Sequence, residues 1–351
     1  MSGFARIWSW TRRRLFPGPL GTVMTLTLAV MMVWALVPLI DWAVIDAHFA
    51  GADRSACVGE GACWVFIRLR LAQFVYGFYP EGARWRVDLA FVLFIGLVGG
   101  VIGGRRHRGL FAGLLFVVYP WLAWDLLAGG VAGLAPVPSE KWGGLMLTLT
   151  AAVAGMLGSA PLGVGLALAR RSKLPVVRLL AIAFIELWRG LPLIAVLFVA
   201  SVMLPLFLPG GFVPDKLVRA LIGMTLFTSA YVAEVVRGGL QAIPKGQYEA
   251  ARALGLSYTQ MTVRVILPQA LRLVVPGLVN TFVSLFKDST LLLIIGLFDL
   301  LGIVQAAATD PAWLGHAREG YIFAGAVFWA FCFALSRLGR RFEVTAGGGR
   351  S

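Results

Sequence analysis

Charge is scarce in this sequence. Acidic side chains number 17 and basic ones 31 among 351 residues, so that charged residues make up 14% of the chain. A soluble domain carries about a quarter. The deficit excludes a water-exposed surface over most of the molecule, because a chain that is 59% hydrophobic has too few charges to build a polar shell. Histidine and cysteine are scarcer still, three of each. His48, His107 and His316 are scattered and no CxxC pair occurs, which argues against a metal site. No His/Asp or Cys/His grouping points to a membrane enzyme. A GxxxxGK[ST] phosphate loop is also missing, so the chain has no recognisable means of binding ATP by itself.

What the sequence has instead is long apolar runs, at about 21–40, 87–103, 109–134, 143–169, 179–208, 217–236, 273–305 and 320–335. A helix of about 20 apolar residues crosses a hydrocarbon layer about 30 Å thick. Helices are the expected element, since backbone groups in lipid must be satisfied within their own segment. The reading is an all-α integral membrane protein of about eight spans. The two longest runs are candidates for broken spans, the first because Pro192 and Pro205 interrupt it. The basic start (Arg6, Arg12, Arg13, Arg14) resembles a signal sequence, but no small-x-small site closes the run behind it, so 21–40 is read as a retained first span.

A formal charge of +14 could suggest nucleic acid. The basic residues, however, form short clusters between apolar runs, not one hydrophilic face, and nucleic-acid binding is set aside. With both termini inside, 20 basic residues fall in cytoplasmic segments and nine on the opposite side, leaving Arg189 and Lys287 within apolar runs. That asymmetry supports cytoplasmic termini. Cys57 and Cys63 then lie in a periplasmic segment at about 41–86, either as a small disulfide loop or as two unpaired thiols.

One cytoplasmic segment, 238–272, is long, polar and rich in helix formers. Nothing breaks a helix from Gln247 to Leu254, and Gly255 can end it. A second helical stretch is expected from Ser257 to Leu267, with Pro268 marking entry to the next span. The product is a helix–turn–helix with a small-residue face suited to close docking of another protein.

Within it, Glu249-Ala250-Ala251, three residues, Gly255, nine residues and Val265-Ile266-Leu267-Pro268 resembles the EAA loop of ABC importer permeases, departing only by valine at 265. The resemblance implies that Glu249, Ala250, Ala251, Ala253, Leu254 and Gly255 couple the membrane helices to a separate ATPase. Glu186 to Pro192 and Lys287 to Leu291 are similar to segments of the polar amino-acid permeases, and 76–80 to the second membrane subunit of general L-amino-acid permeases. The resemblance implies a five-helix core at 141–345 preceded by a three-helix extension at 1–140. It also implies an ABC ATPase dimer holding ATP and Mg, a second homologous permease and a periplasmic amino-acid-binding protein. No cofactor is expected on this chain. A secondary transporter would call for internal repeats, and none is found.

Ionisable groups inside a membrane cost at least about 2.5–3.5 kcal/mol each, so they need partners or a wet cavity. Glu186 and Arg189, three apart, can pair with each other. Arg189, Ser284, Lys287, Asp288, Ser289 and Thr290 are the candidate substrate pathway, because a cavity with one charge of each sign matches an amino acid. For Lys287 and Asp288, structural pairing remains an equal alternative.

Overall fold

The computed structural model describes residues 3–104, 106–131, 133–207 and 213–347, and no strand occurs among them. Among the described residues, seven helices are long and apolar enough to cross a membrane, or eight when one bent pair counts as a span. The chain forms two compact units, Met1–Arg70 with Ala308–Gly320 and Leu71–Ala307 with Tyr321–Ser351.

The first unit begins with α1 (Gly3–Leu15), which ends in Arg12, Arg13 and Arg14. It is followed by α2 (Pro19–Ile40), in which no residue is buried by protein. A helix apolar on every side and covered by nothing else requires lipid around it. Beyond it, Cys57 and Cys63 are joined by a disulfide with their Cα atoms 5.5 Å apart. The loop is pinned by the Ala62 N–H donating to the Trp42 carbonyl (2.8 Å) and the His48 N–H to the Ala62 carbonyl (2.8 Å). The buried Glu319 carboxylate accepts the Cys63 N–H at 2.9 Å. Closing so short a loop removes about 2 kcal/mol of denatured-chain entropy. Replacing both Cys57 and Cys63 by serine is therefore expected to lower hydrogen-exchange protection across 48–66 by about 30-fold, while amides in the second unit exchange as before.

α3 (Trp64–Tyr76) begins in the first unit and enters the second at Leu71, where α4 (Arg84–Gly103) and α5 (Arg108–Ala128) follow. The core follows as α6 (Gly144–Arg170), α7 (Pro175–Gly190), α8 (Leu193–Phe207) and α9 (Lys216–Ala242). The chain continues with α10 (Lys245–Ala253), α11 (Tyr258–Ile295), α12 (Leu300–Ala308) and α13 (Ala317–Gly347). Val87 of α4 and Leu126 of α5 belong to the same buried cluster as Met146, Leu197, Leu217 and Met224. Two helices of the extension thus share a core with the C-terminal helices, and the compact units do not divide at 140.

The long run 179–208 is broken, with α7 and α8 meeting at 103°. The residue before a proline avoids the helical region, and Leu191, before Pro192, is extended at φ −96°, ψ 142°. Pro120, Pro205 and Pro268 do not break their spans. Wide π turns at Leu114–Val118, Val199–Met203 and Thr262–Ile266 each stand just ahead of a proline, Pro120, Pro205 and Pro268. A proline ring collides with the carbonyl four residues back, and widening the turn there moves that carbonyl aside. Pro268 accordingly does not mark the start of a span. The second helix expected at 257–267 is the first part of a continuous α11.

The closest packing is between α6 and α9. Ser159, Gly163 and Ala167 recur every four residues on α6 and are all buried. A Cβ on Gly163 would stand 2.5 Å from Val232 Cγ1 and 2.8 Å from the Ser229 carbonyl of α9. Small residues at this spacing let two backbones approach where hydrophobicity supplies no drive.

Candidate functional site

The segment 245–261 is a helical hairpin whose turn is specified residue by residue. At the end of α10 the Leu254 N–H donates to the Ala250 carbonyl (3.1 Å) and the Leu256 N–H to the Ala251 carbonyl (3.2 Å). Gly255 between them has φ +71°, the left-handed conformation such a C-cap requires. Nothing lies within 4 Å of where its Cβ would be, so the demand on this position is conformational and not a matter of space. Two residues later Ser257 starts α11 with a capping box: its hydroxyl accepts the Gln260 N–H (3.3 Å) and the Gln260 side chain accepts the Ser257 N–H (3.1 Å).

One face of the hairpin is seated on the membrane helices. Ala251 is 3% exposed and packs with Val236, Leu240, Ile266, Ala270 and Val274. Arg171, just past α6, donates to the Leu240 carbonyl of α9 (3.2 Å) and to the Tyr248 hydroxyl of α10 (3.1 Å). Its guanidinium also lies 5.7 Å from the centre of the Tyr248 ring. Gln269 of α11 donates to the Gln247 side chain at 3.1 Å. The other face is at the surface, comprising Glu249, Ala250, Ala253, Gly255 and Leu254, the last 79% exposed. Of the six residues expected to couple, only Ala251 is buried.

Above the hairpin, α9 and α11 border a cavity of about 550 Å³. Its polar lining comes from Thr228 and Tyr231 of α9 and from Asn280, Thr281, Ser284 and Asp288 of α11. Asp288 is the single carboxylate among the lining residues, and no basic side chain is among them. Two members of the expected substrate pathway, Ser284 and Asp288, are thus brought together. Lys287 is exposed and does not line the cavity. The Ser289 hydroxyl is buried and donates to the Phe286 carbonyl (2.8 Å), and the Thr290 hydroxyl donates to the Lys287 carbonyl (2.9 Å), so both close the helix end. Arg189 also stands outside the lining, its guanidinium 5.9 Å from the Tyr231 ring centre. Thr228, Tyr231, Asn280 and Thr281 were not among the expected residues, since one polar residue in an apolar run gives no local sign of what it faces.

Between cavity and hairpin lies a cluster of ions. Glu234 accepts from Arg170 (2.8 Å), accepts from Arg237 through both carboxylate oxygens (Oε2 at 2.7 Å and Oε1 at 3.2 Å), and lies 3.8 Å from Arg189. Glu186 pairs with Arg170 at 3.1 Å. The expected Glu186–Arg189 pair is not formed, because each residue finds an opposite charge on a neighbouring helix.

An all-helical membrane bundle with a capped helical hairpin between its spans defines a class, and the chain belongs to it. It is a member of the family described as binding-protein-dependent transport system inner membrane component, whose pattern matches residues 159–344. It is a membrane permease subunit of an ABC importer, a transporter component and not an enzyme, and it works with an ATPase supplied by another subunit. The chain is 51% identical over 351 residues to the inner membrane amino-acid ABC transporter permease protein YhdY of Escherichia coli (strain K12), covering 99% of this chain and 95% of that protein. It is 36% identical to the glutamate/glutamine/aspartate/asparagine transport system permease protein BztC of Rhodobacter capsulatus, covering 93% and 91%. A solved amino acid ABC transporter crystallised with histidines matches with a TM-score of 0.51 at 30% identity, covering 57% of this chain and 90% of that one.

Proposed function

We propose that this subunit imports amino acids across the inner membrane, with the 245–261 hairpin as the element that engages the ATPase. The observation that carries the reading is the hairpin's two-sidedness. Ala251 and Tyr248 fasten one face to α6, α9 and α11, while Leu254 presents a large apolar side chain to the outside. An exposed leucine on a short, well-capped element is the kind of residue a partner groove covers. ATP and Mg are held by that partner, and a second permease completes the pathway. Both termini and the hairpin are cytoplasmic, in keeping with the distribution of basic residues. A binding protein delivers substrate on the opposite face.

The polar cavity suits an amino acid because Asp288 offers a carboxylate to an ammonium group and the surrounding hydroxyl and amide groups can receive the rest. The reading of relatives as amino-acid permeases supports this substrate class. A tagged copy of the chain, solubilised from its membrane, is expected to bring down an ABC ATPase, and Leu254→Arg to reduce that recovery at least ten-fold with membrane insertion unchanged. Equal recovery from both would sink the hairpin's assignment.

A further inference from the structure

The ion cluster spans the distance between the cavity wall and the hairpin. Its geometry is that of a relay with one centre. On the cavity side, Glu234 lies 3.8 Å from Arg189, whose guanidinium faces the ring of Tyr231, a lining residue. On the hairpin side, Glu234 holds Arg170 at 2.8 Å, and the next residue, Arg171, bonds the Leu240 carbonyl and the Tyr248 hydroxyl. Tyr231, Glu234 and Arg237 follow one another at three-residue spacing on α9, so all three project from one side of that helix. Arg189 is also the penultimate residue of α7, directly before the 103° break. Its bond to Glu234 is the longest in the cluster, whereas Arg237 and Arg170 are held at 2.7 and 2.8 Å.

We infer that Glu234 is a positioning residue through which occupation of the polar cavity is conveyed to the coupling hairpin. A substrate that shifts the Tyr231 ring shifts the guanidinium lying against it. The weak Arg189 contact to Glu234 is the one that yields. The carboxylate then redistributes between Arg170 and Arg237, and Arg170 is one peptide bond from the residue that grips the hairpin. Through Arg189 the cluster reaches a ring of the cavity wall, and through Arg170 it adjoins the residue that clamps the hairpin.

The inference rests on the importer reading. It is tested on the assembled transporter in lipid vesicles, by ATP hydrolysis with and without the binding protein loaded from a mixture of the twenty L-amino acids. The readout is the ratio of stimulated to basal hydrolysis per assembled complex. Glu234→Gln is expected to bring that ratio close to one while basal hydrolysis stays within about two-fold. Glu234→Asp keeps the charge but draws the carboxylate back by one methylene, and should at least halve the ratio with assembly intact. Glu186→Gln, which touches Arg170 but neither the cavity wall nor Glu234, should leave the ratio unchanged. The inference is overturned if an assembled Glu234→Gln keeps the wild-type ratio, or if Glu186→Gln loses it equally. Should Glu234→Gln not assemble, a wild-type ratio in Glu234→Asp overturns it alone. A wild-type chain that recovers no ATPase counts against the importer reading instead.

Discussion

Replacing Gly255 by valine is expected to abolish ATP-driven uptake, while Gly255→Asn keeps at least half of it. The contrast follows from φ +71° together with the open space around the missing Cβ. The left-handed conformation costs an L-residue about 1–2 kcal/mol, more for a β-branched one, and little for asparagine. A penalty of about 2 kcal/mol reduces the correctly capped hairpin about 30-fold relative to frayed alternatives. An element of nine residues has no stability of its own to absorb that loss. Uptake by vesicles and recovery of the ATPase should fall together. If valine and asparagine behave alike, the position matters for the bulk of its side chain and not for its backbone.

The second large effect is expected at Asp288. Asp288→Asn removes the one charge lining the cavity while keeping its size and hydrogen-bonding shape. A hydrogen bond to a charged group contributes about 1.5–3 kcal/mol, so the half-saturating concentration for uptake should rise by about 10- to 100-fold if this carboxylate receives the ammonium. Lys287→Gln, one residue away but outside the cavity, should change it by less than three-fold. Wild-type uptake by Asp288→Asn would move the substrate elsewhere.

The parts of this molecule that were legible in its sequence are those fixed by near neighbours along the chain. Gly255 and Ser257 announce a turn and a helix start because each acts on atoms within a few residues. The spans were legible for the same reason, and so was the break at Pro192. Pro268 misled, since the same residue can end a helix or ride on a π turn, and only packing decides between them. The charges were the least legible. Three-residue spacing suggested Glu186 with Arg189, but two residues on one helix compete with every opposite charge on adjacent helices, and here Arg170 and Glu234 win. Lys287 and Asp288 looked equivalent as a pair of intramembrane ions. Neighbours on a helix point about 100° apart, so only one of them could meet the cavity.

The continuity of α11 has a consequence for how motion is passed on. The residues between Tyr258 and Asp288 form one rod of about 45 Å, anchored in the hairpin at one end and walling the cavity at the other. A rod of that length that tilts by about 10° about one end carries its far end through about 8 Å, more than the width of an amino-acid side chain. Its two ends also share one angular register. The π turn at Thr262–Ile266 is where an extra residue has been taken up within that register. Like a key whose bit and handle are cut from one piece, the rod turns the cavity wall by whatever angle the hairpin turns.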